Sequence, residues 1–360
     1  MPTFPVIPED KLRSMLEPPT APVRLIIDTD AHNEIDDQYA IAWTLLSPDQ
    51  LKLEGVLAEP YSHGHHRAPL LQAYEALKVD ANAALPDEQL PYRRSALNML
   101  ANDIDPYGIV YENTAEGMEL SYQEILKVFD LLDQPADGKV FRGSETYLTS
   151  LDQPLRTPAA EFLIERAFAS DEPLYVACIG CLTNLASAIL MEPEIITRIV
   201  VTWTSSYPSC VTLNNRPSLN LVQDILASKL LFDCGVPHVY LPGYYVGEQL
   251  KLSLPDMERW VRGKGKIGDY LYHLYTHNPI FPMQGINDHF GRTWVIWDLI
   301  NFAWMMNPEW VPSQLVRSPI LRDDLYWGHD ASRHWMREAY QLDRDGIFRD
   351  FFTKLERAPA

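Results

Sequence analysis

Asp28, Asp30, Asp36 and Asp37 fall within ten residues of one another in RLIIDTDAHNEIDDQYAIAWTLL, where an apolar run gives way to a helical pattern. Bringing several carboxylates together costs repulsion and desolvation unless water, protonation or a cation relieves it. The cluster therefore reads as a hard-cation site, and calcium or magnesium would suit its all-oxygen ligands. A plainer account covers part of it: Asp36 and Asp37 open a helix, where free amides and the helix dipole offset negative charge.

Elements of a particular kind must position these acids. Val23 to Ile27 is short and rich in branched residues, as in a buried parallel strand, and Gln38 to Leu46 reads as a helix. LKLEGVLAEP supplies a second strand, which completes a βαβ unit. Residues 61–116, with SHGHH, several prolines and DPYGIVYENT, are less regular and are expected to form an insertion or lid near the site. Alternation then resumes: helix SYQEILKVFDLL, a strand in GKVFRGSETYL, helix EFLIERAFA, strand PLYVACIG, helix TNLASAILM, and strands RIVVTWTS and VPHVYLPG flanking helix DILASKLLFDC. This predicts an α/β fold, a mostly parallel central sheet with helices on both faces, in a single domain behind an N-terminal extension over 1–22. Ligands of such sheets sit beyond the carboxyl ends of the strands, where Asp28, Asp30, the loop after Glu59, Gly180 and Ser205 would fall. RTWVIWDLINFAWMM reads as a helix carrying Asp298 among tryptophans, an acid costly to bury without a metal, a substrate or a capping amide as partner.

Composition narrows the partners. The 360-residue chain is 46% apolar and 22% charged, as in an ordinary globular protein, and its formal charge of -19 disfavours a nucleic acid polymer. A small or neutral substrate fits better. MPTFPVIPEDKLRSML lacks the basic start and apolar stretch of a signal peptide, and no run approaches the ~18 apolar residues of a membrane span, so a cytoplasmic location without membrane contact is expected. Cys178 and Cys181 form a C-x-x-C without a second ligand pair and read as packing residues.

The order of these motifs is what carries a resemblance: a strand with D-x-D, D-D at a helix start, G-x-L-T-N, an Asn after a further strand, and a late Asp. From roughly Arg24 to Pro308 the chain resembles the inosine-uridine preferring nucleoside hydrolases. The resemblance implies a Ca²⁺ at the bottom of the pocket, holding both the nucleophilic water and the ribose diol. Asp30, Asp37 and Asp298 would be its side-chain ligands, with the backbone carbonyl of Ile179. It further implies that Asp30 takes the proton of the water, that Asp36 binds the ribose hydroxyls and that Asn220 faces the sugar. The expected function is Ca²⁺-dependent cleavage of the N-glycosidic bond of a small-molecule nucleoside or riboside, by a homo-oligomer. The residue types fit, because an oxocarbenium-like sugar is stabilised by nearby carboxylates.

The chain departs from the family where the base must leave. The His that precedes the late Asp in many relatives is Trp297, which stacks on a base but cannot donate the proton. A family Glu is Ser218, the usual Asn after the second strand is missing from LAEPYSHGHH, and the Pro-Gly between the acids is AHNEI, two residues longer. Asn33 and Glu34 of that loop either contact sugar or metal or are ordinary loop polarity. His63, His65 and His66 either supply the missing acid or are solvated surface. Asn214 and Asn215 offer sugar contacts or a turn. Trp203, Tyr244, Tyr245 and Trp297 offer an aromatic floor or core packing, and Asn287, Asp288 and His289 could close over the pocket. Two other functions compete. One is a noncatalytic nucleoside or sugar binder that has kept the metal; the other is a haloacid-dehalogenase-type phosphatase with Asp28 as nucleophile, which needs a Lys at a strand end.

Overall fold

Strand β1 (Val23–Thr29) is buried along its whole length, as its unbroken branched run requires of a strand covered on both faces. In the computed structural model, which describes residues 3–359, the strands that follow are β2 (Leu51–Ala58), β3 (Val140–Arg142), β4 (Leu174–Cys178), β5 (Ile199–Ser205), β6 (His238–Pro242), β7 (Lys251–Ser253), β8 (Thr293–Val295), β9 (Ser313–Arg317), β10 (Ile320–Leu321), β11 (Trp327–Gly328) and β12 (Trp335–Ala339). Eight of them form one sheet in the order β3-β2-β1-β4-β5-β6-β12-β9. All neighbours pair in parallel except β9, which runs antiparallel to β12 at one edge. The expected α/β architecture is present.

Helices cover both faces. Asp36–Leu45, Thr114–Leu131, Gly265–Thr276, Leu299–Met306 and Arg344–Leu355 pack together on one side, and Pro158–Phe168, Thr183–Met191 and Ile225–Asp233 on the other. One apolar core runs through both layers, from Leu12 near the start to Leu355 near the end. Helix Glu9–Met15 of the N-terminal extension lies against β12. No helix among the described residues is long and apolar enough to cross a membrane.

The insertion is more regular than its sequence suggests. It holds helices Arg67–Val79 and Arg93–Ala101, which pack on each other around a small core of their own, formed by Ala73, Leu77, Leu85 and Ala96. Its predicted end at 116 falls inside helix Thr114–Leu131, whose start is set by a capping box between Asn113 and Glu116. The insertion docks on the segment after helix Phe281–Gln284: the amides of Asn98 and Asn102 donate to the carbonyls of Gln284 (3.2 Å) and Gly285 (2.9 Å).

A second correction concerns Asp298. It is not inside a helix: Thr293–Val295 is strand β8, and the helix begins at Leu299 with Asp298 at its N-cap. Its side chain caps no amide. The carboxylate is thereby left for the cavity.

Candidate active site

A cavity of about 440 Å³ opens beyond the carboxyl ends of β1, β4, β5 and β6, where a parallel sheet places its ligands. Asp30, Asn33, Asp36, Asp37, Ile179, Asn220, Trp297 and Asp298 all line it. Residues as far apart in sequence as Asp30 and Asp298 thus meet in one pocket.

Each acid is held differently. Oδ2 of Asp30 accepts from the Asn33 amide at 2.6 Å and from Nε2 of Gln223 at 3.3 Å, while its Oδ1 is buried and has no partner. Gln223 cannot turn over, because its Oε1 accepts from the Tyr147 hydroxyl (2.6 Å) and the Ser62 amide (3.0 Å), which leaves Nε2 for Asp30. A Cβ at Gly180 would come within 2.8 Å of the Asp30 carboxyl, so the end of β4 can pass there only as glycine. Asp37 accepts from the Thr29 hydroxyl. Carboxylate oxygens of Asp36, Asp37 and Asp298 lie within 4.8 Å of one another. The closest trio therefore includes Asp36, and Asp30 stands beside it with its free oxygen. The Ile179 carbonyl accepts from the Asn220 amide at 2.9 Å, which ties the two backbone-side groups together.

Burial sets the electrostatics. Desolvation raises Asp30, Asp36 and Asp298 well above the usual carboxylate range, and neighbouring acids push each further in the same direction. Asp37 and Glu34 are pushed up to about 7, again chiefly by burial. Five carboxylates, Asp30, Glu34, Asp36, Asp37 and Asp298, line a cavity that no Lys or Arg lines among the described residues. An all-oxygen donor set with an orphaned buried oxygen is what a hard divalent cation requires, and such an ion would return these acids to their charged form.

Asp28 serves beneath the floor. It is fully buried, accepts from the Asn184 amide at 3.0 Å and faces Glu59, whose own oxygens take the Asn184 backbone amide (3.1 Å) and the Cys181 thiol (3.2 Å). Asp28 does not line the cavity, and no lysine does, so the phosphatase reading lacks both its nucleophile and its cation. Cys178 and Cys181 are free and buried, as packing residues should be.

The outer wall is aromatic and comes mostly from late residues: Tyr244 and Trp297 meet edge to face at 5.7 Å, and Ile280, Met283 and Trp294 continue the surface. Trp294 is pinned by its indole, which donates to Glu34 at 2.6 Å. Glu34 is therefore a wall residue rather than ordinary loop polarity.

Other expectations are corrected. His63 is buried, not solvated, and with His66 it lines the cavity. Burial lowers both imidazoles, His66 to about 3, so a charged His acid is disfavoured there. Trp203 is a core residue whose indole donates to the Gly180 carbonyl, and Tyr245 is half exposed outside the cavity. Asn214 and Asn215 hold the turn near Leu325 rather than a ligand. Ser218 bonds Ser205 and the Ser206 amide. Asn287, Asp288 and His289 do not line this cavity. Sequence reading missed Gln223, Tyr147, Met283, Gln284 and Trp294, which carry no local motif.

The sequence profile described as "Inosine-uridine preferring nucleoside hydrolase" matches residues 25–345. A protein named "Non-specific ribonucleoside hydrolase RihC" from Salmonella newport (strain SL254) is 26% identical over 81% of this chain and 80% of its own. "Probable uridine nucleosidase 2" from Arabidopsis thaliana is 26% identical over 39% of this chain, which spans about half of that relative's length (50%). Among solved structures, a "Purine-Preferring Ribonucleoside Hydrolase from Gardnerella vaginalis" superposes with a TM-score of 0.63 at 18% identity, covering 93% of this chain and 98% of that one.

Proposed function

The chain belongs to the inosine-uridine preferring nucleoside hydrolase family, an N-glycosidase lineage acting on ribonucleosides, and from that premise we propose that it hydrolyses its substrate in a Ca²⁺-dependent reaction with Asp30 as general base. The observation that supports this reading is a cavity lined by Asp30, Asp36, Asp37, Ile179 and Asp298 and faced by an aromatic wall, with carboxylate oxygens of Asp36, Asp37 and Asp298 within 4.8 Å of one another. Asp30, Asp37, Asp298 and the Ile179 carbonyl would hold the cation. When bound, it acidifies the attacking water and orients the ribose diol.

The protein's own groups divide the remaining work. Asp30 is fixed in one rotamer by Asn33 and Gln223, which hold its Oδ2 and leave Oδ1 free to take a proton. It takes the proton as the water oxygen bonds to the anomeric carbon. Asp36 accepts hydrogen bonds from the ribose hydroxyls, and Asn220, carried by the short helix Leu219–Gln223 after β5, orients the sugar. The acids of the floor stabilise the positive charge that develops on the sugar. The C–N bond breaks with its electron pair leaving on the base nitrogen, which takes up a proton. Trp297, with Tyr244, presents an aromatic face to the departing base. The insertion would act as a lid, a reading supported by His63 and His66 of that segment lining the cavity.

The test is turnover. Incubation with a panel of ribonucleosides should release free ribose in the presence of calcium and not after chelation. Saturable nucleoside binding with no sugar release would instead make the chain a binder. Sedimentation of the purified chain tests the expected homo-oligomer.

A further inference from the structure

A second cavity, of about 430 Å³, lies behind the outer wall of the first, and the two share Gln284, Thr293 and Trp294. Their charges are opposite. Five carboxylates and no Lys or Arg line the first; Arg94 and Arg292 line the second, and no carboxylate does. In a chain of formal charge -19, two guanidiniums facing one space call for a reason.

Arg94 is exposed, and Arg292 makes a single long ion pair. Arg94 projects from helix Arg93–Ala101 and has no hydrogen-bond or ion-pair partner among the described residues. Nε of Arg292 is buried and unpartnered, and the exposed Asp288 stands 3.7 Å away, beyond hydrogen-bond reach. The shared wall, in contrast, is ordered: Trp294 is fixed by Glu34 and by an edge-to-face contact with Phe281 at 5.4 Å.

We propose that the second cavity is an anion subsite for the leaving group, so that the favoured substrate carries a carboxylate on the outward edge of its heterocycle. This rests on the reading of the first cavity as an N-riboside site. Gln284, Thr293 and Trp294 line both cavities, so a ring that lies against Trp297 and extends to these residues would bring its outward edge to the boundary of the second cavity. An anionic substituent is repelled everywhere inside the first cavity. Past that wall the sign reverses, and guanidiniums bind carboxylates in strong, directional pairs. Arg94 and Arg292 are thus specificity residues and take no part in bond cleavage.

The experiment compares 5-carboxyuridine with 5-carbamoyluridine, alike in shape and different in charge, on the wild-type chain and on the R94Q/R292Q double variant. The ratio of kcat/KM for the acid over the amide is expected to fall about tenfold or more in the variant while uridine is unaffected. An unchanged ratio in an enzyme that still cleaves uridine overturns the subsite and leaves the hydrolase reading intact. Calorimetry with uracil-5-carboxylate against uracil gives a readout without turnover. Equal binding of the two by the wild-type chain overturns the subsite even if no nucleoside releases ribose.

Discussion

The floor of the cavity and its outer wall are built on different principles. The floor comes from strand ends and helix starts: Asp30 follows β1, Asp36 and Asp37 open a helix, and Asp298 sits at a helix N-cap. Its acids are buried and held by a second set of fixed groups, Thr29, Asn33 and Gln223. The wall comes from the loop after β6, the short strand β8 and the residues that follow it, the segment around helix Phe281–Gln284 and the insertion docked on it, and most of its residues are only partly buried. Chemistry that demands sub-ångström placement rests on the sheet, and discrimination between leaving groups rests on the part that can vary without disturbing it.

The largest effect should come from the floor. Chelation is expected to abolish ribose release and calcium to restore it; full activity in excess chelator would leave Asp30, Asp37 and Asp298 with no cation role. Next comes Asp30→Asn, for which a loss in kcat of about 10³-fold is expected, the scale of a removed general base. The same change removes a buried, like-charged carboxylate, so the thermal midpoint of the chelated protein should hold or rise. A fall of the midpoint along with kcat would make Asp30 a structural residue.

The wall should respond more weakly and in another parameter. Trp297→Ala is expected to raise KM about tenfold through lost stacking while calcium affinity stays unchanged. A variant that loses calcium binding as well would break the division between the two halves.

The smallest effect is on stability and joins the two halves at their boundary, through Asp37 and Glu34. Asp37 and Glu34 are raised to about 7 in the folded chain from the ordinary carboxylate range of the unfolded one. Their protonated forms favour folding, so this contribution is complete at low pH and is lost as pH rises from about 4 through about 7. The melting temperature of the chelated protein should therefore decline between pH 5 and 8, and calcium should flatten the decline. A midpoint that rises over this window without calcium would contradict the buried charge cluster.

Much of the floor was legible because its information is local. The branched run of β1, the D-x-D at its end and the paired acids at a helix start lie in one stretch, and periodicity alone placed them at the edge of a parallel sheet. The wall was not legible in the same way. Local sequence leaves Glu34 between a sugar or metal contact and loop polarity, and His63 between an acid and solvated surface; Trp294, 260 residues on, donates to Glu34, and His63 is buried and lines the cavity.

By itself the sequence determined the α/β alternation, the family motif and the identity of the acids, because strand and helix periodicity and clustered charge are properties of neighbours along the chain. Only the tertiary structure decided that Asp298, at a helix N-cap, lines the cavity without capping an amide, that Gln223 braces Asp30, and that Arg94 and Arg292 line one second cavity. Each of those pairings joins residues distant in sequence through packing, and packing leaves no periodic trace along the chain.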